Sequence, residues 1–287
     1  MSSHDVAAVP LAWRSRLILL VASLVGLMML CWPLLVHVPA EAAGGADRVD
    51  PPFLFLVLLP VVIAVVIAEM SEGGMDSRVL AVLGVLAAIN ALMRLLSAGT
   101  AGIELVFFLL ILAGRVFGPG FGFALGVTSL FASALMTAGV GPWLPFQMLC
   151  AAWVGMGAGL LPRRIGRRRI TGRAEIAMLA AYGVVAAYLF GALMNLSSWP
   201  FLLGITVPGH EGNLSFDPQA GLADNLRAFG VYTLLTSTGS FDTGRAITTA
   251  VAVVVLGPAV LTTLRRVARR ATVVGSTLGS DPAHPVV

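Results

Sequence analysis

Apolar residues gather into eight runs along this chain, at 17–36, 53–69, 79–96, 104–116, 120–138, 144–162, 174–196 and 241–264, divided by polar or glycine-rich breaks. A helix needs about 20 apolar residues to cross the ~30 Å hydrocarbon core of a bilayer, and most of the runs approach that length. The pattern predicts eight membrane-crossing helices. The fourth run is short: at ~1.5 Å per residue it reaches only ~17–21 Å with its flanks, so its neighbours must shield it.

Residues 105–162 carry the most ordered pattern. Two breaks, GRVFGPG at 114–120 and AGVGPWLPFQ at 138–147, separate three apolar segments whose single formal charge is Arg115. Gly118, Gly122 and Gly126 recur every fourth residue, Ser129 and Ser133 continue the stripe, and Gly155 and Gly159 repeat the spacing. Small residues at i and i+4 let helix backbones approach closely in lipid, so the stripe predicts helix–helix packing within the bundle. Pro119 suits the first turn of a helix after a reversal at Gly118.

Composition agrees with this class. The chain is 58% hydrophobic and 11% charged, with a mean hydropathy of +0.93, which excludes an ordinary soluble globule and indicates an all-α, polytopic membrane bundle. Its basic residues are all arginine, and ten of the eighteen lie in two clusters, RRIGRRRITGR at 163–173 and RRVARR at 265–270. The positive-inside rule puts both clusters and both termini in the cytoplasm, so the pI near 9.8 does not indicate nucleic acid. The loops 38–51, 97–103, 139–143 and 197–240 then face outward. The last is long enough to act as a lid, with Leu222, Leu226 and Phe229 on one face of a short helix. The first run also fits a signal peptide, with Val38-Pro39-Ala40 as a cleavage region, although its length favours a retained helix.

No nucleotide-binding P-loop, HExxH motif, Cys/His cluster or paired acidic motif occurs, so neither catalysis, nor a metal, nor a cofactor is expected. Cys31 and Cys150 lie in apolar runs and suggest no disulfide framework. Polar groups at membrane depth are costly and tend to line cavities or pair with one another. Under the topology above, Arg94, Glu104, Trp143, Gln147, Asn195, Trp199, Asp242 and Arg245 converge on the external end. Arg94 with Glu104, and Asp242 with Arg245, serve equally well as structural ion pairs. Small-xxx-small pairs occur on the third run at Ala87/Ala91 and at Gly84/Ala88.

Several segments together, FFLLILAGRVFGPGFG at 107–122, GVGPWLPFQM at 139–148, NLSSWPF at 195–201 and TGSFDTGRA at 238–246, resemble the substrate-specific components of energy-coupling factor (ECF) vitamin transporters. The resemblance covers about 79–268 and implies a six-helix domain at 79–270, a two-helix N-terminal extension at 1–78 and a disordered tail at 271–287. It implies a plasma-membrane subunit, not an enzyme, that captures a vitamin outside. The vitamin then passes through a transmembrane coupling protein driven by two cytosolic ATPase subunits. The loops look most similar to cobalamin-type members, which makes Trp143, Gln147, Asn195 and Trp199 the expected contacts for a corrin-like ligand. Ala87 and Ala91 match the family's docking pair for the coupling protein, with Ala64 and Ala68 as a rival pair. A substrate-specific component for another vitamin or precursor, a membrane enzyme or a structural membrane subunit remains the alternative.

Overall fold

A computed structural model of the chain describes residues 8–9, 13–35, 61, 64–65, 77–97, 103–141, 143–202, 204–205, 207, 212–217 and 219–277. The expected span 53–69 falls almost wholly outside these residues, as do Ala68 and the tail beyond 277.

The elements are α1 (Trp13–Leu35), α2 (Ser77–Ser97), α3 (Val106–Phe117), α4 (Pro119–Met136) and α5 (Leu144–Leu160), then a two-stranded hairpin, β1 (Arg164–Ile165) and β2 (Arg168–Arg169). After it come α6 (Arg173–Ser198), α7 (Leu222–Thr233), a π-helical segment (Leu234–Asp242), α8 (Thr243–Val255) and α9 (Gly257–Thr277). Among the described residues four helices are long and apolar enough to cross a membrane, and the bent pair 222–255 and 257–271 makes a fifth. The expected runs that fall within the described residues thus become helices with ends shifted by a few residues, except the last. There the helix begins at Leu222 and continues through the π segment to Val255, then turns by 67° into α9. Residues 222–240 are therefore the first half of one long helix and not a separate lid helix. Leu222 and Leu226 are exposed. The final helix also passes the expected domain boundary at 270 and runs to Thr277.

α3 is the centre of the bundle, and all twelve of its residues are buried. It ends at Gly118, whose φ of 113° needs a residue without a side chain, and α4 restarts at once with Pro119 in its first turn. The glycine stripe then sets the approach of α4 to α5. A Cβ on Gly122 would run into the Gly155 backbone, one on Gly126 into the Ala151–Ala152 backbone, and one on Gly159 into Gly118 and Pro119. The two serines that continue the stripe face α2 instead, where Ser129 accepts a hydrogen bond from Asn90 (3.0 Å) and Ser133 one from Arg94 (2.8 Å).

α1 lies outside this core against α5 and α6. Its buried positions, Ser15, Leu19, Ala22, Gly26 and Leu30, form one helical stripe, and Trp153 Nε1 donates to Ser23 Oγ at 2.9 Å. Its other face exposes Leu17, Leu20, Leu24 and Met28, as suits a helix in lipid.

α2 corrects one expectation. Asn90 is fully buried, and Ala87 and Ala91 share its inward face at 7% and 1% exposure. They are packed inside the subunit and do not form an outward docking face. The outward face carries Gly84, Val85, Ala88, Ile89 and Leu92, and a Cβ on Gly84 would meet nothing within 4 Å. Ala64, of the rival pair, is exposed.

Candidate functional site

Opposite the arginine-rich hairpin, the ends of α2, α5 and α6, the start of α3 and the π segment surround a cavity of about 350 Å3. Six of the eight expected residues line it: Arg94, Glu104, Gln147, Asn195, Asp242 and Arg245.

Arg245, from the first turn of α8, joins one side of the site. Its Nε donates to Glu104 Oε2 and its Nη1 to Asp242 Oδ1 at 3.0 Å. The guanidinium also lies over Phe190 (4.9 Å to the ring centroid) and Phe107 (5.6 Å), and these two rings meet edge to face at 5.0 Å. The expected Asp242–Arg245 pair therefore forms, and Arg245 takes Glu104 as well. Asp242 is 1% exposed, and its second oxygen accepts a 2.6 Å hydrogen bond from Ser237. That i, i+5 contact depends on the π turn, which brings both residues to the inner side of the helix. Gly191 of α6 makes room for it, since a Cβ there would overlap the Asp242 carboxylate.

Across the cavity, Arg94 Nη2 donates to Gln147 Oε1 at 3.0 Å while Nη1 holds Ser133, so this guanidinium ties α2 to α4 and α5. The Asn195 side-chain nitrogen is buried and has no hydrogen-bond partner, although it belongs to a residue on the cavity wall. A buried amide donor left unmet costs ~1–3 kcal/mol, which an acceptor arriving in the cavity would relieve.

Two expected residues stand elsewhere. Trp143 precedes α5, folds back over Gly141 and is 51% exposed. Trp199 is fully buried, but among the outer connecting residues: its indole N–H donates to the Leu214 carbonyl at 2.7 Å, and its ring packs on Phe216 and Phe229. It fastens the connection after α6 to α7 and does not reach the cavity. The walls instead take their aromatic surface from Phe107, Phe190, Tyr232 and Phe241, none of which sequence reasoning singled out.

A second charged cluster lies at the other end of the bundle. Arg115, 2% exposed, donates through Nε to Glu175 at 2.8 Å and through Nη1 to the Leu161 and Pro162 carbonyls. Arg265 of α9 holds both oxygens of Glu175 at 2.7 Å. Among the described residues no group of three or more His, Cys, Asp or Glu side chains is placed to hold a metal ion.

The cavity is partly apolar and carries several fixed donors and acceptors, which suits the binding of a small solute. No curated protein and no solved structure matches the chain significantly. A family model described as "ECF transporter, substrate-specific component" matches residues 78–264, which include every residue of the cavity and all of the second charged cluster except Arg265. The chain is a multi-pass membrane protein and belongs to the substrate-specific components of ECF transporters.

Proposed function

We propose that the cavity beside Arg94, Asn195 and Arg245 is the site at which this subunit takes up a compact vitamin or vitamin precursor from outside the cell. The ligand passes to a coupling protein driven by two cytosolic ATPases. As a family member the chain is a transport subunit and not an enzyme. The observation that carries the site is the Asn195 amide donor, buried without a partner in the wall of the one cavity that collects six of the polar residues expected to converge. Its volume of about 350 Å3 lies at the low end of the ~300–1,000 Å3 usual for small-molecule sites, which favours a single ring system with polar substituents. Phe107, Phe190 and Phe241 supply apolar surface, and Gln147, Asn195 and Tyr232 supply amide and hydroxyl groups.

A corrinoid such as cobalamin is the second reading. The resemblance of the 139–148, 195–201 and 238–246 segments to cobalamin-type members supports it, and it requires the cavity to widen. The arginine clusters support an orientation with both termini in the cytoplasm and the cavity outward. For docking, the exposed Gly84/Ala88 face of α2 replaces Ala87/Ala91 as the candidate surface for the coupling protein.

The test is equilibrium binding to the purified subunit, by calorimetry, with a panel of ring-containing vitamins and with cobalamin, beside Asn195→Ala and Gln147→Ala. Tight binding of one compact vitamin, weakened at least about tenfold in each variant, is the expected result; a lost charged or buried hydrogen bond is worth about that factor. Binding of cobalamin alone moves the assignment to the corrinoid. Full binding by both variants discards the site.

A further inference from the structure

A groove of about 630 Å3 opens at the arginine-rich end, in the angle where α9 turns away from α8 against the first turn of α6. Ile176, Val254, Pro258 and Leu261 make its walls, while Arg173, Thr262 and Arg265 stand at its rim. The walls continue into the outward face of α8, where Ile247, Val251, Val254 and Val255 are 54–67% exposed and suited to contact with lipid. The groove is thus open sideways to the hydrocarbon, whereas its rim sits among the charges at the end of the bundle. Arg173 and Arg265 line it together with the carboxylate of Glu175, whose two oxygens Arg265 holds and whose remaining charge partner is the buried Arg115. The first turn of α6 faces the same place, and no side chain caps it. An uncapped helix start offers backbone N–H groups and the positive end of the helix dipole to an anion.

We infer that this groove binds an anionic phospholipid of the surrounding membrane. One acyl chain lies along Ile176, Val254, Pro258 and Leu261, and the phosphate sits at Arg173 and the first turn of α6. The carbon walls distinguish this ligand from a free phosphate, which would have no use for them. Continuity with the lipid-facing side of α8 favours a lipid over a protein segment arriving from the cytosol. Basic pockets between transmembrane helices on the arginine-rich side recognise acidic headgroups by the same chemistry. The inference is independent of which solute the opposite cavity takes. It adds a consequence for the fold: the lipid headgroup would rest beside the Glu175–Arg265 contact that holds α9 to α6.

Native mass spectrometry of the full chain in detergent tests this, with palmitoyl-oleoyl phosphatidylglycerol, phosphatidylcholine of the same chains, and glycerol 3-phosphate as probes. Arg173→Gln and Thr262→Trp serve as variants, because both side chains are exposed and their replacement leaves the core intact. Monodisperse elution of each variant verifies that it is folded. The expected result is retention of phosphatidylglycerol over phosphatidylcholine by about fivefold, falling below about twofold in Arg173→Gln. Thr262→Trp should remove the retained lipid of either kind by filling the groove, and glycerol 3-phosphate should not displace it. Equal retention of the two lipids by the unmodified chain overturns the inference, and so does unchanged retention in Thr262→Trp. Displacement by glycerol 3-phosphate would make this a soluble-anion site. Loss of co-purifying coupling protein in Thr262→Trp without loss of lipid would make it a docking face.

Discussion

Replacing a glycine by alanine should change stability in opposite directions at two positions of this bundle. Alanine is a better helix former than glycine by about 1 kcal/mol, so at Gly84, where a Cβ meets nothing within 4 Å, Gly84→Ala should be neutral or stabilising by up to that amount. At Gly122 the same Cβ would stand 2.5 Å from the Gly155 carbonyl carbon and 3.0 Å from Met156 N, both of them backbone atoms that cannot rotate away. Ordinary contact begins near 3.4 Å, so α4 and α5 would have to part by about 1 Å along their closest line. Gly155 and Gly159 face α4 with the same closeness, which means the separation would loosen several contacts together. Overpacking of this kind costs ~1–3 kcal/mol, more than the gain in helix propensity, and leaves a net loss of roughly 1–2 kcal/mol. Thermal unfolding of the two variants in the same detergent, followed by the fluorescence of the buried tryptophan, measures the difference. A Gly122→Ala protein as stable as Gly84→Ala would refute the packing assigned to the stripe.

Arg245→Ala should destabilise the fold by about 3–5 kcal/mol, because it leaves the buried Asp242 carboxylate unpaired; Arg245→Lys should recover only part of the loss in thermal unfolding, since a single ammonium cannot serve Glu104, Asp242 and two rings together. Single cysteines placed at Gly166 and Gly212 should react with a membrane-impermeant thiol reagent from opposite sides, and labelling of the Gly166 site in intact cells would reverse the proposed orientation. Ala88→Trp should weaken pull-down of the coupling protein with folding intact, whereas Ala87→Trp should lower the yield of folded subunit; the reverse outcome would restore Ala87 as the docking residue.

How much of this was legible in the sequence varied with the kind of signal. Positions of the helices within the described residues came through because length and apolarity mark a membrane helix, although only four or five of those helices are long enough to span. The helix from Leu222 to Val255 did not, since its first half, LADNLRAFGVYTLLTSTGS, contributes polar side chains to the cavity and the connecting segment and so reads as a loop. The phase of α2 was readable and was misread: Asn90 and Arg94 must turn inward at membrane depth, and Ala87 and Ala91 lie on that same face at helical spacing. Charged members of the cavity were found because an ionised group in a bilayer must seek partners. Phe107 and Phe190 were not, since a phenylalanine in an apolar run gives the same pattern whether it faces a cavity, the core or lipid. Trp199 drew attention as an aromatic near the outer surface, but only the positions of Leu214, Phe216 and Phe229 reveal what it holds.

The short central helix links the two ends of the molecule. Twelve residues give α3 about 18 Å of length, some 12 Å less than the hydrocarbon core, so both of its ends stop below the level of the lipid headgroups. Charges placed there must be paired, and they are: Glu104 with Arg245 just before α3, Arg115 with Glu175 in its last turn. The two ends differ in access. The Glu104 and Arg245 side chains, on the cavity wall, are 29% and 10% exposed, whereas those of Arg115 and Glu175 are 2–3% exposed and covered by the Leu161 and Pro162 carbonyls and by Arg265, at the edge of the groove. On the proposed reading, a solute entering the cavity at the Arg94 side meets these groups several ångströms beneath the surface and then faces Phe107 and the fully buried body of α3. Passage onward would require separating the α4–α5 contact, where glycine backbones touch, or breaking a buried ion pair, which costs ~3–5 kcal/mol when one partner is lost. Neither change follows from solute binding at the opposite end. On the proposed function, the cavity therefore holds its ligand until another component of the transporter acts on the subunit.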